Sequence, residues 1–345
     1  MKKNKSEYSR REFIRKTSYG IAGTIAYQLL PENAKSASAE DKTPRAGMGN
    51  VFMQDGKPLL VVAEGIDRAT RLKKGLEKIG GLEKLVKGKN VILKPNALAP
   101  APYPVCTEPD FLISICKAVV DAGAKKVSIY DGVPERTFRL MGLYEKAPKY
   151  GIEVLNVDFS RHDFFTTVEK KSWEIMKTID ISTYIQAADV VINIPNIKRH
   201  GDAGFSCCMK NHFGSVYGPN RWDAHSKLHK GKSVDSGVWD ESFRIPFKQV
   251  AVEFSDAVRC ELNIVDAQDM LIKGGPHISG KAEVKKGVNK LIICGDIVAT
   301  DAYCSAMMVK HDPTYTADIW EPAILYGEKL GLGISDLGKV KIIEV

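Results

Sequence analysis

Short apolar runs alternate with helical patterns along most of the chain, and this alternation constrains the fold more than any other feature of the sequence. The runs are three to five residues long and rich in Val, Ile and Leu, as strands buried on both faces are. Strands that alternate with helices indicate βαβ crossovers. We therefore predict an α/β fold: a mostly parallel sheet with helices on both faces, built as one body or as two intertwined lobes.

The boundaries of these elements follow from residues that start or stop regular structure. We predict strands at residues 59–63, 91–93, 127–130, 154–157, 190–194, 262–265, 291–294 and 340–343, and helices at 68–79, 107–122, 136–149, 205–213, 247–258, 298–309 and 321–330. Pro195 cannot donate to a sheet ladder, so the strand before it should end there. Thr107 and Asp110 have the spacing of a capping box.

The first 39 residues carry three ordered features of a twin-arginine (Tat) export signal. Ser9–Arg15 reads S-R-R-E-F-I-R, Ile21–Leu30 is an apolar stretch too short for a stable membrane span, and Ala37–Ala39 is a small-residue cleavage site. The alternative is a solvated basic helix. We predict a Tat signal peptide at residues 1–39, the Tat translocase and signal peptidase as partners during export, and a periplasmic or other extracytoplasmic location.

The export signal also accounts for most of the basic character of the chain. The formal net charge is +8 at pH 7, and residues 1–39 hold eight Lys and Arg against three Asp and Glu. The remainder is nearly neutral, which argues against a nucleic-acid partner, and it has no stretch long enough for a stable membrane span. Residues 40–58 are polar and rich in Gly and Pro, so we expect a linker there and a single α/β domain at 59–345.

Polar side chains recur directly after the predicted strands. Lys94 and Asn96 follow the strand at 91–93, Asp131 follows the strand at 127–130, and Asp266 follows the strand at 262–265. Lys198–His200 is expected in the loop after the strand at 190–194. Because the carboxyl ends of parallel strands meet at the same edge of a sheet, where ligands bind, we expect these side chains to converge.

The motifs at these positions resemble the domain of unknown function 362 family. They are K-P-N at Lys94–Asn96 with Thr107-x-Pro109 after it, I-P-N-I-K-R-H at Ile194–His200, K-N-H-F-G at Lys210–Gly214, D-A-Q-D…G-G-P at Asp266–Pro276, and G-D-I-V-A-T-D-A at Gly295–Ala302. The family has no established function, so the resemblance implies little chemistry. Many members carry ferredoxin-type cysteine runs, but this chain has no C-x2-C-x2-C motif and hence no iron–sulfur cysteine motif of its own.

Basic and amide side chains in these motifs predict a small anionic ligand. Lys198 and Lys210 could bind a carboxylate or a phosphate, and the alternative is that they are solvated loop charges. A lysine placed at a buried strand end, as Lys94 is, has either a partner or a shifted pKa. The predicted substrate- or anion-binding residues are Lys94, Asn96, Asp131, Asn211, Arg221, Asp266 and Asp301.

Four of the seven histidines lie within thirty residues. His225 and His229 have the i, i+4 spacing that places both on one helix face, which is compatible with zinc, although no Glu follows His225 as in H-E-x-x-H. We predict His212, His225 and His229 as candidate metal ligands and a divalent metal as a candidate cofactor. Candidate carboxylate partners are Asp202, Asp223 and Asp266.

The seven cysteines do not form a recognisable metal or disulfide framework. Cys207 and Cys208 are adjacent, which no ordinary zinc or cluster motif uses, and a disulfide between neighbours is strained. Cys106 and this pair fall near the predicted site, so a role as nucleophile or ligand stays open.

The leading hypothesis is an exported enzyme of unknown reaction class that binds a small anionic substrate. Lys198, His200 and Lys210 are its predicted catalytic residues, with His200 as the acid/base and the two lysines holding the anion. One alternative is a non-catalytic periplasmic protein that binds an anion or a metal. Another is a redox partner that uses an iron–sulfur cluster on another subunit. No G-x-S-x-G or P-loop motif occurs.

Overall fold

The computed structural model describes residues 42–229 and 244–345. The export signal predicted at 1–39 lies outside the described residues, as do the side chains of residues 227–229. Lys42–Val345 forms one compact unit. In the described ranges, no helix has the length and apolar character needed to cross a membrane.

Strands and helices alternate over most of the chain, as the apolar periodicity predicts. The strands are β1 (Met53–Gln54), β2 (Lys57–Glu64), β3 (Asn90–Pro95), β4 (Lys126–Asp131), β5 (Glu153–Asn156), β6 (Phe165–Glu169), β7 (Thr178–Ser182), β8 (Val190–Ile194), β9 (Asn196–His200), β10 (Gly204–Ser206), β11 (Leu262–Ile272), β12 (Glu283–Lys285), β13 (Lys290–Cys294) and β14 (Lys341–Glu344).

The α-helices lie mostly between these strands. They are α1 (Arg68–Lys78), α2 (Glu83–Val86), α3 (Pro109–Asp121), α4 (Glu135–Leu140), α5 (Leu143–Lys146), α6 (Thr183–Gln186), α7 (Cys208–Asn211), α8 (Gly218–His229), α9 (Ile245–Val258), α10 (Ile297–His311) and α11 (Glu321–Lys329). Short 3-10 turns occur at Ala147–Tyr150, His162–Phe164, His212–Ser215, Ala317–Ile319 and Leu337–Lys339.

The described residues build one mixed sheet of twelve strands and a separate hairpin of β6 and β7. Eight strands follow the order β1-β2-β13-β11-β8-β3-β4-β5, while β14 pairs with β2, β9 and β12 pair with β11, and β10 pairs with β9. The half of the sheet from β11 through β8, β3 and β4 to β5 is parallel. In the other half, β13 runs antiparallel to both β11 and β2. The α/β fold with a mostly parallel sheet is therefore confirmed, with an antiparallel insertion that the sequence pattern does not reveal.

Two hydrophobic clusters cover the two faces of this sheet. In β2, Leu60 and Val62 belong to one cluster, while Leu59, Val61 and Ala63 belong to the other, as the two-residue period of a strand requires. Helices α9, α10 and α11 contribute to the first cluster, and α1 and α3 to the second. The sheet is thus buried between two layers of helices, and its carboxyl edge is left for polar residues.

The segment 42–58, expected to be part of a linker, packs against the rest of the fold. Arg45 forms a buried ion pair with Glu261 at 2.9 Å, and Phe52 is fully buried. Residues 53–54 add strand β1 to the edge of β2. The Gly and polar content of the segment predicted a linker, but its position is determined by a few anchoring side chains.

The structure corrects two predicted elements around Pro195. The strand β8 ends at Ile194 as expected, but residues Lys198–His200 lie on a further strand, β9, instead of a loop. The predicted helix at 205–213 is replaced by β10, the short helix α7 and a 3-10 turn. Pro195 interrupts the regular strand for one residue only. Beyond it, β9 pairs with β11 and does not continue the pairing of β8 with β3.

Candidate functional site

A cavity of about 360 Å³ opens at the carboxyl edge of the parallel half of the sheet. It is lined by Lys94, Asn96, Ala97, Leu98, Asp131, Gly132, Val133, Pro134, Phe159, Lys198, His200, Ser206, Lys210, Asn211, Phe213, Gly214, Arg221, His225 and Pro276. Most of the predicted site residues therefore meet in one place although they are far apart in sequence. The geometry agrees with the rule that ligands bind beyond the carboxyl ends of parallel strands.

Strand β9 divides three consecutive polar residues between two environments. Lys198 and His200 both line the cavity, because residues two apart in a strand share a face. Arg199 lies on the opposite face, where it pairs with the buried Asp312 at 2.9 Å. The strand, rather than the predicted loop, is what fixes the direction of these side chains.

A buried ion pair forms the floor of the cavity. Lys94 Nζ lies 2.8 Å from Asp131 Oδ2, and both side chains are almost completely buried. Ala97 N donates to the same carboxylate oxygen at 3.2 Å. Burial lowers the pKa of Lys94, and the negative charge of Asp131 opposes that shift. Asp131 is thus engaged as a partner of Lys94, which differs from the predicted role in direct anion binding.

Gly214 lets the chain pass directly over this ion pair. A Cβ at position 214 would lie 2.0 Å from Asp131 Oδ1 and 2.7 Å from Lys94 Nζ. We expect Gly214→Ala to separate the pair and to lower the free energy of unfolding by about 1–3 kcal/mol. Denaturant unfolding measures this loss. Gly201→Ala is the matched control, because its new Cβ would approach no closer than 3.5 Å to Gly275 O. Equal effects of the two substitutions would contradict the role of Gly214.

A relay of asparagine side chains connects the cavity to the middle of the sheet. Asn96 Nδ2 donates to Asn211 Oδ1 at 3.0 Å, and Asn211 Nδ2 donates to Asn193 Oδ1 at 2.8 Å. Asn193 Nδ2 in turn donates to Asn263 Oδ1 at 3.0 Å. Because buried amides must be hydrogen-bonded, this relay fixes the orientation of Asn96 and Asn211 at the cavity.

Lys198 is a buried cation whose partners in the described residues are neutral. Its Nζ donates to Asn96 Oδ1 at 2.8 Å and to Val105 O at 2.7 Å, and only 1% of the residue is exposed. Burial lowers the pKa of Lys198 to about 8. Its positive charge is therefore maintained near neutral pH without a carboxylate to balance it.

Lys210 lies in an aromatic environment instead of a polar one. Its Nζ is 3.3 Å from the centroid of the Phe213 ring and 5.4 Å from that of Phe247. Burial, assisted by the positive charge of Lys198, lowers the pKa of Lys210 to about 7. The charge of this amine therefore changes near neutral pH, which the sequence alone does not indicate.

His200 is held as a neutral hydrogen-bond donor. Its Nδ1 accepts N–H bonds from Asp202 at 3.1 Å and from Ala203 at 3.2 Å, so the neutral ring carries its proton on Nε2. Burial and the ammonium groups of Lys210 and Lys198 hold the pKa of His200 well below its usual value. With its lone pair engaged, His200 is poorly suited to the acid/base role predicted for it.

Arg221 reaches the cavity from helix α8. Its Nε donates to Val216 O and its Nη1 to Gly132 O, both at 2.8 Å. Its Nη2 is buried and has no partner among the described residues. These contacts orient a guanidinium that still has donor capacity for a ligand.

The described lining of the cavity carries an excess of positive charge. Four basic side chains face one carboxylate, and that carboxylate is paired with Lys94. Lys198, Lys210 and Arg221 make no ion pair with any acidic residue among those that the structure describes. Such an excess of buried charge is costly unless an anion balances it.

Two predicted anion-binding residues are not brought to the cavity. Asp266 lies within the long strand β11 and pairs with Arg68 at 2.8 Å and Arg71 at 3.7 Å. Asp301 accepts N–H bonds from Cys208 at 2.7 Å and Met209 at 3.2 Å, at the start of helix α7. Both carboxylates are used to stabilise the fold around the site, so neither is available to contact a ligand there.

The predicted histidine ligands do not converge on a third ligand in the described residues. His212 is fully buried, lies outside the cavity lining, and its pKa is lowered to about 3 by burial and the charge of Lys94. His225 Nε2 faces Asp202 Oδ2 at 3.7 Å. Helix α8 extends to His229, which agrees with the i, i+4 spacing, but its side chain lies outside the described residues.

A different group of side chains could hold a metal ion. One ligand atom each of Cys207, Cys208 and Asp301 lies within 4.8 Å of the other two. All three are fully buried in the hydrophobic core and away from the cavity. Trp320 Nε1 also donates to Asp301 Oδ2 at 3.0 Å, so a metal here would share a carboxylate that already accepts three N–H bonds.

Some residues that build the site are absent from the predicted set. Asn193 and Asn263 anchor the asparagine relay, Phe213 contacts Lys210, and Gly214 makes room for the ion pair. A signal for Asn193 is present in the sequence, because an asparagine interrupts the otherwise apolar run V-V-I-N-I. Asn263 interrupts the apolar run L-N-I-V at residues 262–265 in the same way, whereas the roles of Phe213 and Gly214 can be recognised only from their contacts.

Fold and site together define an α/β protein with a buried, positively charged cavity at the carboxyl edge of its sheet. A family profile matches residues 91–306, and its description is "Domain of unknown function (DUF362)". The chain belongs to this family, which confirms the resemblance seen in its motifs. The matched residues include every predicted site residue.

The chain is also similar to a relative and to a solved structure. It is 26% identical over 267 residues to the "Thylakoid-associated protein sll1697" of Synechocystis sp., which covers 74% of this chain and 73% of that protein. The solved structure of the lactate racemase apoprotein from Thermoanaerobacterium thermosaccharolyticum has a TM-score of 0.43 and 15% sequence identity with the present chain. That likeness covers 66% of this chain and 54% of the racemase, so the chain spans about half of its length.

Proposed function

We propose that this protein is an enzyme whose cavity binds a small anionic substrate and transfers protons on it. The observation that carries the proposal is the convergence of Lys198, Lys210 and Arg221 on one cavity, without an acidic partner among the described residues. An anion placed between them would replace the hydration that burial removes. Its binding would be strongest where all three groups are protonated.

The side chains that line the cavity have different roles in this proposal. Lys198 and Arg221 hold the anion, because one is fixed by neutral acceptors and the other by backbone carbonyls. His200 contributes a neutral N–H donor. Lys210, whose pKa is about 7, is the group that accepts or gives a proton, since catalytic acids and bases work best with a pKa near the operating pH. A protein that only stores an anion has no need of such a group.

Location and metal content belong to the same proposal. The twin-arginine pattern supports export, and a relative named as thylakoid-associated is compatible with an extracytoplasmic location. The mature N-terminus of protein recovered from the periplasm tests this. His225 lines the cavity, whereas His212 is buried outside its lining, so these two predicted metal ligands do not share the site and we place the chemistry on the lysines. Metal analysis of natively purified protein tests that assignment.

We expect the affinity for succinate to fall as the pH rises from 6.5 to 9. Succinate is mostly the dianion throughout, whereas Lys210 and Lys198 lose their protons near pH 7 and 8. Since the anion favours the protonated lysines, the dissociation constant should rise by up to about tenfold per pH unit for each group that titrates. Isothermal titration calorimetry at several pH values measures the curve.

Two variants make this test specific. Lys210→Gln should remove the inflection near pH 7 while leaving the one near pH 8. Lys74→Gln, which changes an exposed lysine of helix α1, should leave the curve unchanged. An affinity independent of pH, or no binding of any small dicarboxylate, would contradict the proposed function.

A further inference from the structure

We propose that Lys210 is a nucleophilic amine that forms an imine with the carbonyl group of its ligand, so that the substrate class is small oxo acids. This inference rests on the proposed anion site and narrows its ligand from any small anion to one with a carbonyl. It separates the duties of the two cavity lysines. Lys198 recognises charge and supplies a proton, whereas Lys210 makes a bond.

The surroundings of Lys210 keep its nitrogen lone pair available. Its Nζ packs over the ring of Phe213 and near that of Phe247. Among the described side chains, Lys210 Nζ makes neither an ion pair nor a hydrogen bond, and the charge of Asp202 acts on its pKa only through space. Aromatic rings stabilise the ammonium form but do not accept its proton in an ordinary hydrogen bond. The amine can therefore approach a ligand without first breaking a bond to a protein acceptor.

The aromatic surroundings extend beyond these two rings. Phe213 and Phe247 have ring centroids 5.3 Å apart, and the His225 ring lies 5.8 Å from the first and 5.0 Å from the second. His200 lies 6.5 Å from Phe247. Lys210 thus lies beside a cluster of rings that excludes water, and a desolvated lysine next to another cation is a recognised form of activated amine.

Lys198 supplies that second cation. Its charge contributes to the lowered pKa of Lys210, so a substantial fraction of the Lys210 amine is unprotonated at neutral pH. Lys198 itself is held by Asn96 Oδ1 and Val105 O, which favours its ammonium form. The pair therefore divides into one fixed cation and one free amine, as imine chemistry requires.

The chemical step balances without an oxidant or a cofactor. The neutral Lys210 amine attacks the carbonyl carbon, and a proton passes from its nitrogen to the carbonyl oxygen, so that a carbinolamine with a hydroxyl group forms. Lys198 gives a proton to that hydroxyl, which leaves as water, and the C=N bond of a protonated imine forms. Lys198 then takes a proton from solvent. Arg221, which lines the same cavity, pairs with the carboxylate of the oxo acid.

Borohydride trapping with 2-oxoglutarate tests the inference on the full chain. Reduction of the imine should leave an added mass of one ligand less one oxygen atom, and peptide mapping should place it on Lys210. Succinate, which has the charges but no carbonyl, should not be trapped and should suppress the trapping of 2-oxoglutarate at least tenfold. Acetone, a neutral ketone, should label the protein poorly.

Lys210→Arg keeps the positive charge but removes the usable nucleophile, so it should abolish the adduct, while Lys74→Arg should not change it. If Lys210→Arg does not fold, the mapped position and the protection by succinate in the unmodified protein still decide the question. Binding of succinate without an adduct on Lys210, or label spread evenly over exposed lysines, would overturn the imine and leave the anion site intact. Absence of binding by both succinate and 2-oxoglutarate would overturn the proposed function as well.

Discussion

Asp131→Asn is expected to lower the free energy of unfolding by about 3–5 kcal/mol. The substitution leaves the ammonium group of Lys94 buried, with Pro95 O at 2.8 Å as its remaining partner in the described residues. An uncompensated buried charge costs several kcal/mol, whereas an exposed ion pair contributes less than about 1 kcal/mol. Urea unfolding at pH 7 measures the difference, and the midpoint of thermal unfolding should fall in parallel.

A matched pair of controls separates this charge effect from a general loss of packing. Glu135→Gln removes a carboxylate from the exposed ion pair with Arg139 and should cost less than about 0.5 kcal/mol. The double variant Lys94→Met with Asp131→Leu removes both charges and should recover most of the stability lost by Asp131→Asn. The buried pair would not have the proposed role if Asp131→Asn and Glu135→Gln were equally stable.

Lys198→Met is expected to weaken the binding of succinate on the order of a hundredfold or more. Methionine fills a similar volume but removes the cation that neutral acceptors hold at the cavity, and truncating one partner of a buried charged contact costs roughly 2–5 kcal/mol. Isothermal titration calorimetry at pH 6.5, where the lysines are protonated, measures the change. Circular dichroism and thermal unfolding establish that the variant is folded.

Arg199→Met is the control for this loss of affinity, because Arg199 is the next residue of the same strand and faces the other way. It should reduce stability, since Asp312 loses its partner at 2.9 Å, yet it should leave the affinity of the folded protein for succinate unchanged. A loss of affinity as large as that of Lys198→Met would mean that β9 acts only as structure. Unchanged affinity in Lys198→Met would remove Lys198 from the anion site.

The position of the site could be predicted because it depends on a general property of parallel sheets. Lys94 and Asp131 come at the carboxyl ends of β3 and β4, which are neighbours in the sheet, so their side chains meet at the same edge. Lys210 and Asn211 reach the same edge because helix α7 packs beside the ends of these strands. Periodicity in the sequence predicts the strands, and the fold class then predicts the edge.

The roles of individual residues could not be predicted in the same way. Asp266 and Asp301 were predicted at the site together with Asp131, yet Asp266 lies within β11 and pairs with Arg68, while Asp301 lies within α10 and accepts a hydrogen bond from Cys208 N. Lys198 and Arg199 are both cations on one strand, and only the register of β9 assigns one of them to the cavity. Each outcome depends on which partner lies within a few ångströms in the folded chain.

The sequence was sufficient to predict the α/β fold, the buried strands and the edge at which polar residues gather, because apolar periodicity and the alternation of strands with helices are properties of local segments. The folded chain was needed to see that Lys198 binds Asn96 Oδ1 across 102 residues, that Asp301 binds Cys208 N across 93, and that Lys210 lies over Phe213 without an acidic partner in the described residues. Burial and the charges of distant segments decide whether a lysine is a solvated cation, an anion-binding group or a free amine, and these quantities exist only once the chain has folded.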